Sequence, residues 1–299
     1  MMVFKMTIVS KSLSIVELVQ EMADALLAAN SDFSDITSGF GDRCLYYTPD
    51  SLYIHFKPDW EYGLYFGFVG IRINVSTGWD GVLYEPTGTV YTMYIVVTAH
   101  AAYNANPTNL DSEAERDIWW NKKYQCIYYI DAGGLNLWYR NPYITNVDDS
   151  RTILFNLEII PVADREYSDG FSDIFMSVID YGTAFNASEE DKDYPSLRPF
   201  NYVGSANMWQ YTTKAYSSAG TGELYIDFPW YYNDPGTFLD PIAQTKRWFV
   251  VDEANTDALP LDVVVWDDNG TTRSYLIVDM LTATETGPNY FIGIPFEVV

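Results

Sequence analysis

The chain has 299 residues, 48% of them hydrophobic and 17% aromatic, with a formal net charge of −24 at pH 7. That is enough apolar material to bury a core in one large or two ordinary domains, and it excludes a disordered polyelectrolyte. With 17 Lys and Arg against 41 Asp and Glu, and only Lys122-Lys123 and Lys246-Arg247 as basic pairs, no phosphate-tracking surface is available, so specific nucleic-acid binding is not expected.

Residues 1–12 are apolar in flavour, but they hold neither the hydrophobic core nor the small-residue cleavage site of a secretory leader, and none is expected. Ser14-Ile15-Val16-Glu17 has the spacing of a capping box. Ile15, Leu18, Val19, Met22, Leu26 and Ala29 then recur at helical spacing, which predicts an amphipathic helix over 14–29. Asn30 and the polar stretch after it stop this helix. Because that stretch sets the helix apart, it is expected to serve assembly and to be removable without unfolding the rest.

Almost everything else reads as strand. Segments 45–47, 52–56, 64–75, 89–99, 124–130, 135–140 and 153–160 are β-branched or aromatic and bounded by Gly, Pro, Asn or Asp. A second, short helix is predicted near 111–120, where Ser112-Glu113-Ala114-Glu115 gives another capping pattern and Ile118 and Trp119 the apolar side. Later strands are predicted at 171–179, 223–228, 248–251, 263–266, 274–280 and 290–297. Asp131-Ala132-Gly133-Gly134 and Asp267-Asp268-Asn269-Gly270 carry the residues of tight hairpin turns. The charged, Pro-flanked run 181–199 is the best linker, which divides the chain into 1–180 and 200–299; one large β domain is the alternative. Leu52-Tyr53-Ile54-His55-Phe56 and Leu224-Tyr225-Ile226-Asp227-Phe228 echo each other across that run, as either duplication or convergence would produce. The fold class expected is mainly β: antiparallel sandwich or barrel-like domains, with an N-terminal amphipathic helix and a short helix near 111–120.

Residues that do chemistry are scarce. There are 2 His and 2 Cys, and no HExxH, GxSxG, P-loop or CxxC pattern. His55 and His100 have no acid or nucleophile beside them in sequence, and Cys44 and Cys126 are expected as buried free thiols. Acidic turns such as 267–270 lack the spacing of a calcium loop. Neither a metal nor another cofactor is expected, and the chain is not expected to be an enzyme. No stretch approaches the ~20 apolar residues of a membrane helix. Asn74, Asn186 and Asn269 begin N-x-S/T triplets, which without a leader are read as coincidence.

Contact residues are plentiful by comparison. Tyr occurs 25 times and Trp 9 times, and both supply stiff, half-polar area suited to interfaces or sugars. The candidate interface residues are Trp60 and Trp79, each beside an acid; Trp119 and Trp120; and the knot of Phe228, Trp230, Tyr231 and Tyr232 around Pro229. A helix at 14–29, an acidic Tyr-rich β body poor in Cys and His, and a closing strand from Phe291 to Val299 together make a whole that resembles a virion structural protein of a tailed bacteriophage. Such a protein belongs to the neck, tail or baseplate. The resemblance implies a non-enzymatic subunit, assembled in the host cytoplasm into a homo-oligomer or with other virion proteins. It would dock through aromatic loops and edge strands. A carbohydrate-binding β-sandwich, with exposed Trp as stacking platforms, is the other reading, and a glycoside hydrolase with paired carboxylates is a third.

Overall fold

The structure, a computed structural model, describes residues 7–37, 41–61, 68–99, 121–140, 152–166, 172–180, 196–201, 216–217, 224–225, 230–232, 241–245, 247–252, 263–268, 271–280 and 290–296. In chain order its elements are β1 (Thr7–Leu13), α1 (Ile15–Ala29), β2 (Phe33–Asp35), β3 (Arg43–Tyr47), β4 (Leu52–Glu61), β5 (Phe68–Asp80) and β6 (Glu85–Ala99). Next come β7 (Tyr124–Asp131), β8 (Gly134–Arg140), β9 (Thr152–Ile159), β10 (Ile174–Asp180), β11 (Ser196–Asn201), β12 (Tyr216–Ser217) and β13 (Leu224–Tyr225). The last are β14 (Trp230–Tyr232), β15 (Pro241–Gln244), β16 (Phe249–Asp252), β17 (Val263–Asp268), β18 (Thr271–Met280) and β19 (Tyr290–Phe296). The protein is mainly β with antiparallel sheets and a helix near its N-terminus, as its residue pattern predicts. The helix expected near 111–120 lies outside the described residues, as does most of 181–199, of which 196–199 belongs to β11.

The chain divides into two compact units: Ser10–Cys126 with Tyr139–Ile144, and Met1–Val9 with Ile127–Trp138 and Thr145–Val299. In the first, α1 packs on a five-stranded sheet of order β2-β3-β4-β5-β6. The capping box forms as its spacing requires: Glu17 N donates to Ser14 Oγ at 3.3 Å, and Ser14 N donates to Glu17 Oε2 at 2.8 Å. Lys123 pairs with the same Glu17 oxygen. Lys123 foremost, and then the Ser14 amide, lower the Glu17 carboxyl to about 2. Ile15, Leu18, Val19, Met22, Ala23 and Leu26 form the buried stripe of the helix. Arg43 ties helix to sheet, donating from Nη1 to Asp24 at 2.6 Å and Gln20 at 3.1 Å, and from Nη2 to Asp35 at 2.8 Å. The expectation of a detachable helix is therefore corrected. The polar stretch after Asn30 is not a tether, because within it Phe33 is buried and β2 pairs with β3, folding the helix straight back onto the sheet.

The register β3-β4-β5 alternates as a two-sided sheet should. Leu45, Ile54 and Val75 fall on one line, and Cys44, His55 and Asn74 on the next. All six are buried. Burial of Asn74 removes it as a glycan acceptor, which agrees with its triplet being coincidental.

A six-stranded sheet has the order β1-β7-β8-β9-β10-β11, and in the second unit a four-stranded sheet has the order β16-β19-β18-β17. Both contribute to one apolar cluster: Ile127, Trp138 and Leu154 from the larger sheet, with Leu276, Val278, Ile292 and Ile294 from the smaller and Trp248 just before β16. Facing sheets that share an interdigitated core are the sandwich arrangement. A smaller cluster joins Ile160 and Phe175 to Ile242 and Ala243 of β15. Gly293 pairs with Phe249 and leaves room for its ring, which lies where a side chain at 293 would begin. The ring also meets Tyr275 edge-on, 5.0 Å between centroids.

Candidate docking interface

Among the described residues, the histidine and both cysteines are buried in the fold. His55, nearly fully buried, has Asp42 Oδ2 3.1 Å from Nε2 and Asn74 Nδ2 3.4 Å from Nδ1. Asn74 Oδ1 in turn accepts from the Thr92 hydroxyl at 2.8 Å. The chain is directionally consistent when Thr92 donates to Asn74, Asn74 to Nδ1 and Nε2–H to Asp42. Both ring nitrogens are then engaged in hydrogen bonds. Burial, reinforced by the charges of Asp35 and Asp42, pushes the Cys44 thiol far above its ordinary value. Burial likewise takes Cys126 up to about 12, against a hydrogen bond with the Leu13 backbone. Neither sulfur is a nucleophile at neutral pH. His100 lies outside the described residues.

A second polar row crosses the larger sheet. Arg247, on the approach to β16, donates from Nε to Asn136 Oδ1 at 2.8 Å and from Nη1 to Asp131 Oδ1 at 2.6 Å. Its guanidinium lies 5.2 Å from the centre of the Tyr129 ring. Asn136 Nδ2 donates to the Arg247 carbonyl at 3.1 Å and to Asn156, which donates to Ser177 Oγ at 3.1 Å. Burial opposes ionisation of Asp131, but the Arg247 charge, the Tyr129 hydroxyl and the Gly133 amide outweigh it and hold the carboxyl below its usual range. Among the described residues no cluster of three or more His, Cys, Asp or Glu is placed to hold a metal ion.

Among the described residues, the large apolar side chains left exposed are Val162 after β9, Val263 at the start of β17, and a group of three in the β5–β6 hairpin, which holds the two most exposed. The ladder between β4 and β5 ends at Tyr53 opposite Ser76. Beyond it, β5 and β6 run on together as a two-stranded arm, pairing Gly78 with Thr87, Trp79 with Pro86 and Asp80 with Glu85. At roughly 3.3 Å per residue the arm reaches about 15 Å past the last three-stranded rung. Its tip carries Val82, 83% exposed, and Leu83, 67% exposed; Val90 lies further down, also exposed.

A lone two-stranded ribbon is ordinarily marginal in water, and this one is braced at both ends. At the tip, Asp80 Oδ1 accepts from Val82 N at 2.8 Å and Leu83 N at 3.1 Å, closing an Asx-type turn that keeps the carboxyl below its usual range. Tyr84 completes the turn with φ +55°. At the root, a bulge falls between Ser76 and Gly78. There Thr77 Oγ1 accepts from Thr89 N at 3.0 Å, and Ser76 Oγ donates to the Gly78 carbonyl at 2.8 Å. Gly88, with φ +75°, lies against the Thr77 hydroxyl, where no Cβ fits. Trp79 is half-buried, and its ring meets that of His55 edge-on, 4.9 Å between centroids.

Of the residues singled out in the sequence, Trp79 is thus at the base of the arm and Trp60 lies on β4 opposite Val69. Trp230, Tyr231 and Tyr232 form β14, which pairs with β15 through an irregular register at Tyr231 and Tyr232. Trp119, Trp120 and Phe228 lie outside the described residues. Sequence reasoning missed Val82 and Leu83. The signal that marks them is the Asp80-Gly81 dipeptide between two β-prone runs, a hairpin-turn pattern.

No protein-family model matches the chain, and no curated protein sequence matches it. No described helix is long and apolar enough to cross a membrane. The fold and site define a mainly antiparallel β protein that presents a braced arm with an apolar tip.

Proposed function

We propose that the protein is a non-enzymatic structural subunit of a virion, of the neck, tail or baseplate kind, that docks on neighbouring subunits through projecting β structure. The observation that carries this reading is the β5–β6 arm. Two large aliphatic side chains are held bare at the end of a ribbon stiffened by its turn, its bulge and its hydroxyl bonds. Exposed apolar groups on a rigid support are what a protein keeps for a partner. Because the arm is ordered in advance, little conformational entropy remains to be lost on docking. The engagement of His55 and the burial of both thiols fit a role without bond chemistry.

Imaging of particles from the producing cell, at side-chain resolution, tests the reading. Val82 and Leu83 are expected to be covered by a neighbouring subunit. A particle in which the chain is present with its tip bare refutes docking through the arm. Glycan stacked on Trp60, Trp79 or Trp230 instead supports the carbohydrate-binding alternative.

A further inference from the structure

We infer that the acceptor of the β5–β6 arm is an apolar pocket with a cationic rim on a different protein, and neither a second copy of this chain nor a lipid surface. This rests on the reading of the arm as a docking element and adds the chemistry of what receives it. Asp80 and Glu85 stand directly opposite each other across the tip, on either side of Val82 and Leu83. Residues 77–90 contain no Lys or Arg. Like charges directly opposed on paired strands work against the hairpin, and a cation brought between them at docking removes that repulsion. A pocket that takes the two aliphatic side chains therefore gains most when its rim carries Lys or Arg.

A second copy is poorly supplied with such a rim. The chain carries −24 overall, with 17 basic residues. Among the described residues Arg43, Arg72, Lys123, Arg165 and Arg247 are each committed to a carboxylate of the same chain. The two basic pairs noted in the sequence lose Lys123 and Arg247 in this way. Phosphate-bearing surfaces, whether lipid headgroups or nucleic acid, present the same sign as Asp80 and Glu85, so they repel the tip at the range where docking begins. A protein pocket with basic edges satisfies both the apolar and the charge requirement, and complementarity of this kind raises on-rate and selects among partners.

The test uses the full chain and three sets of synthetic peptides with the same apolar centre, flanked by Lys and Arg, by Ser, or by Asp and Glu. Sedimentation of the chain alone and flotation with anionic and zwitterionic vesicles run beside it. The Lys/Arg-flanked set is expected to bind about 10-fold more tightly than the Asp/Glu-flanked set, with the preference shrinking as NaCl is raised. The double variant V82S/L83S, whose melting curve is expected to match the parent because both positions are exposed, should lose binding by roughly 10- to 100-fold. Glu85→Gln should narrow the preference between flanks while leaving affinity for the Ser-flanked set unchanged. Equal binding of all three sets, with loss in V82S/L83S, overturns the cationic rim and leaves docking standing. Self-association or vesicle binding that V82S/L83S abolishes does the same. A tip variant indistinguishable from the parent in every arm of the test overturns both the inference and the reading beneath it.

Discussion

Replacing Arg247 with Met tests the account of the second unit most directly. The substitution keeps a long apolar stem and deletes the guanidinium, which holds Asp131 at 2.6 Å and Asn136 at 2.8 Å and lies over Tyr129. Asp131, with its side chain only 22% exposed, is then an almost buried charge without its cation. Breaking a buried pair by removing one partner costs about 3–5 kcal/mol, and the residual exposure of Asp131 puts this case near 3. For a unit of this size that is a fall in melting temperature of roughly 6–12 °C. Thermal unfolding followed by near-UV circular dichroism reads it, since Trp138 and Trp248 share the adjoining core. Adding Asp131→Asn to Arg247→Met removes the stranded charge and should recover more than half of the loss. The pH dependence follows from the depressed Asp131 carboxyl. Its pairing stabilises the native state fully above the ordinary carboxylate range near 4 and is lost as pH falls through the lower folded value. The gap between wild type and Arg247→Met is therefore widest at neutral pH and closes on acidification. A variant that melts within about 2 °C of wild type at pH 7 refutes the ion-pair account.

Gly293→Ala should destabilise the same unit by about 1–3 kcal/mol, because its Cβ enters the space of the buried Phe249 ring; an unchanged urea midpoint shows that the ring relaxes freely. Deleting residues 1–30 should unfold the first unit. It strips the buried stripe from Ile15 to Leu26 off the sheet, and each fully buried aliphatic is worth about 1.5–3 kcal/mol. Limited proteolysis that leaves 41–99 resistant would contradict this. Cys44 and Cys126 should not react with a thiol reagent at pH 7 until denaturant is added, since both are buried and their thiols held protonated. Fast labelling of the native chain would place them at the surface.

The helix and its cap were legible in the residues alone, since a capping box joins positions three apart and the apolar stripe repeats within single turns. Most strands from β3 to β10 were legible too, their β-branched and aromatic runs being bounded by Gly, Asn and Asp. Composition likewise fixed the scarcity of nucleophiles and the acidic balance. Tertiary structure alone decided where long-range partners fall. Arg247 finds Asp131 and Asn136 more than a hundred positions away, and His55 meets Asp42 and Asn74 only because three strands share a register. The arm was hidden for a related reason. Burial imprints alternation on a strand, and the exposed tip of the arm carries none, so Val82 and Leu83 are marked in the sequence only by the Asp80-Gly81 turn pattern beside them. Their meaning comes from exposure, and exposure is a property of the whole chain folded around them.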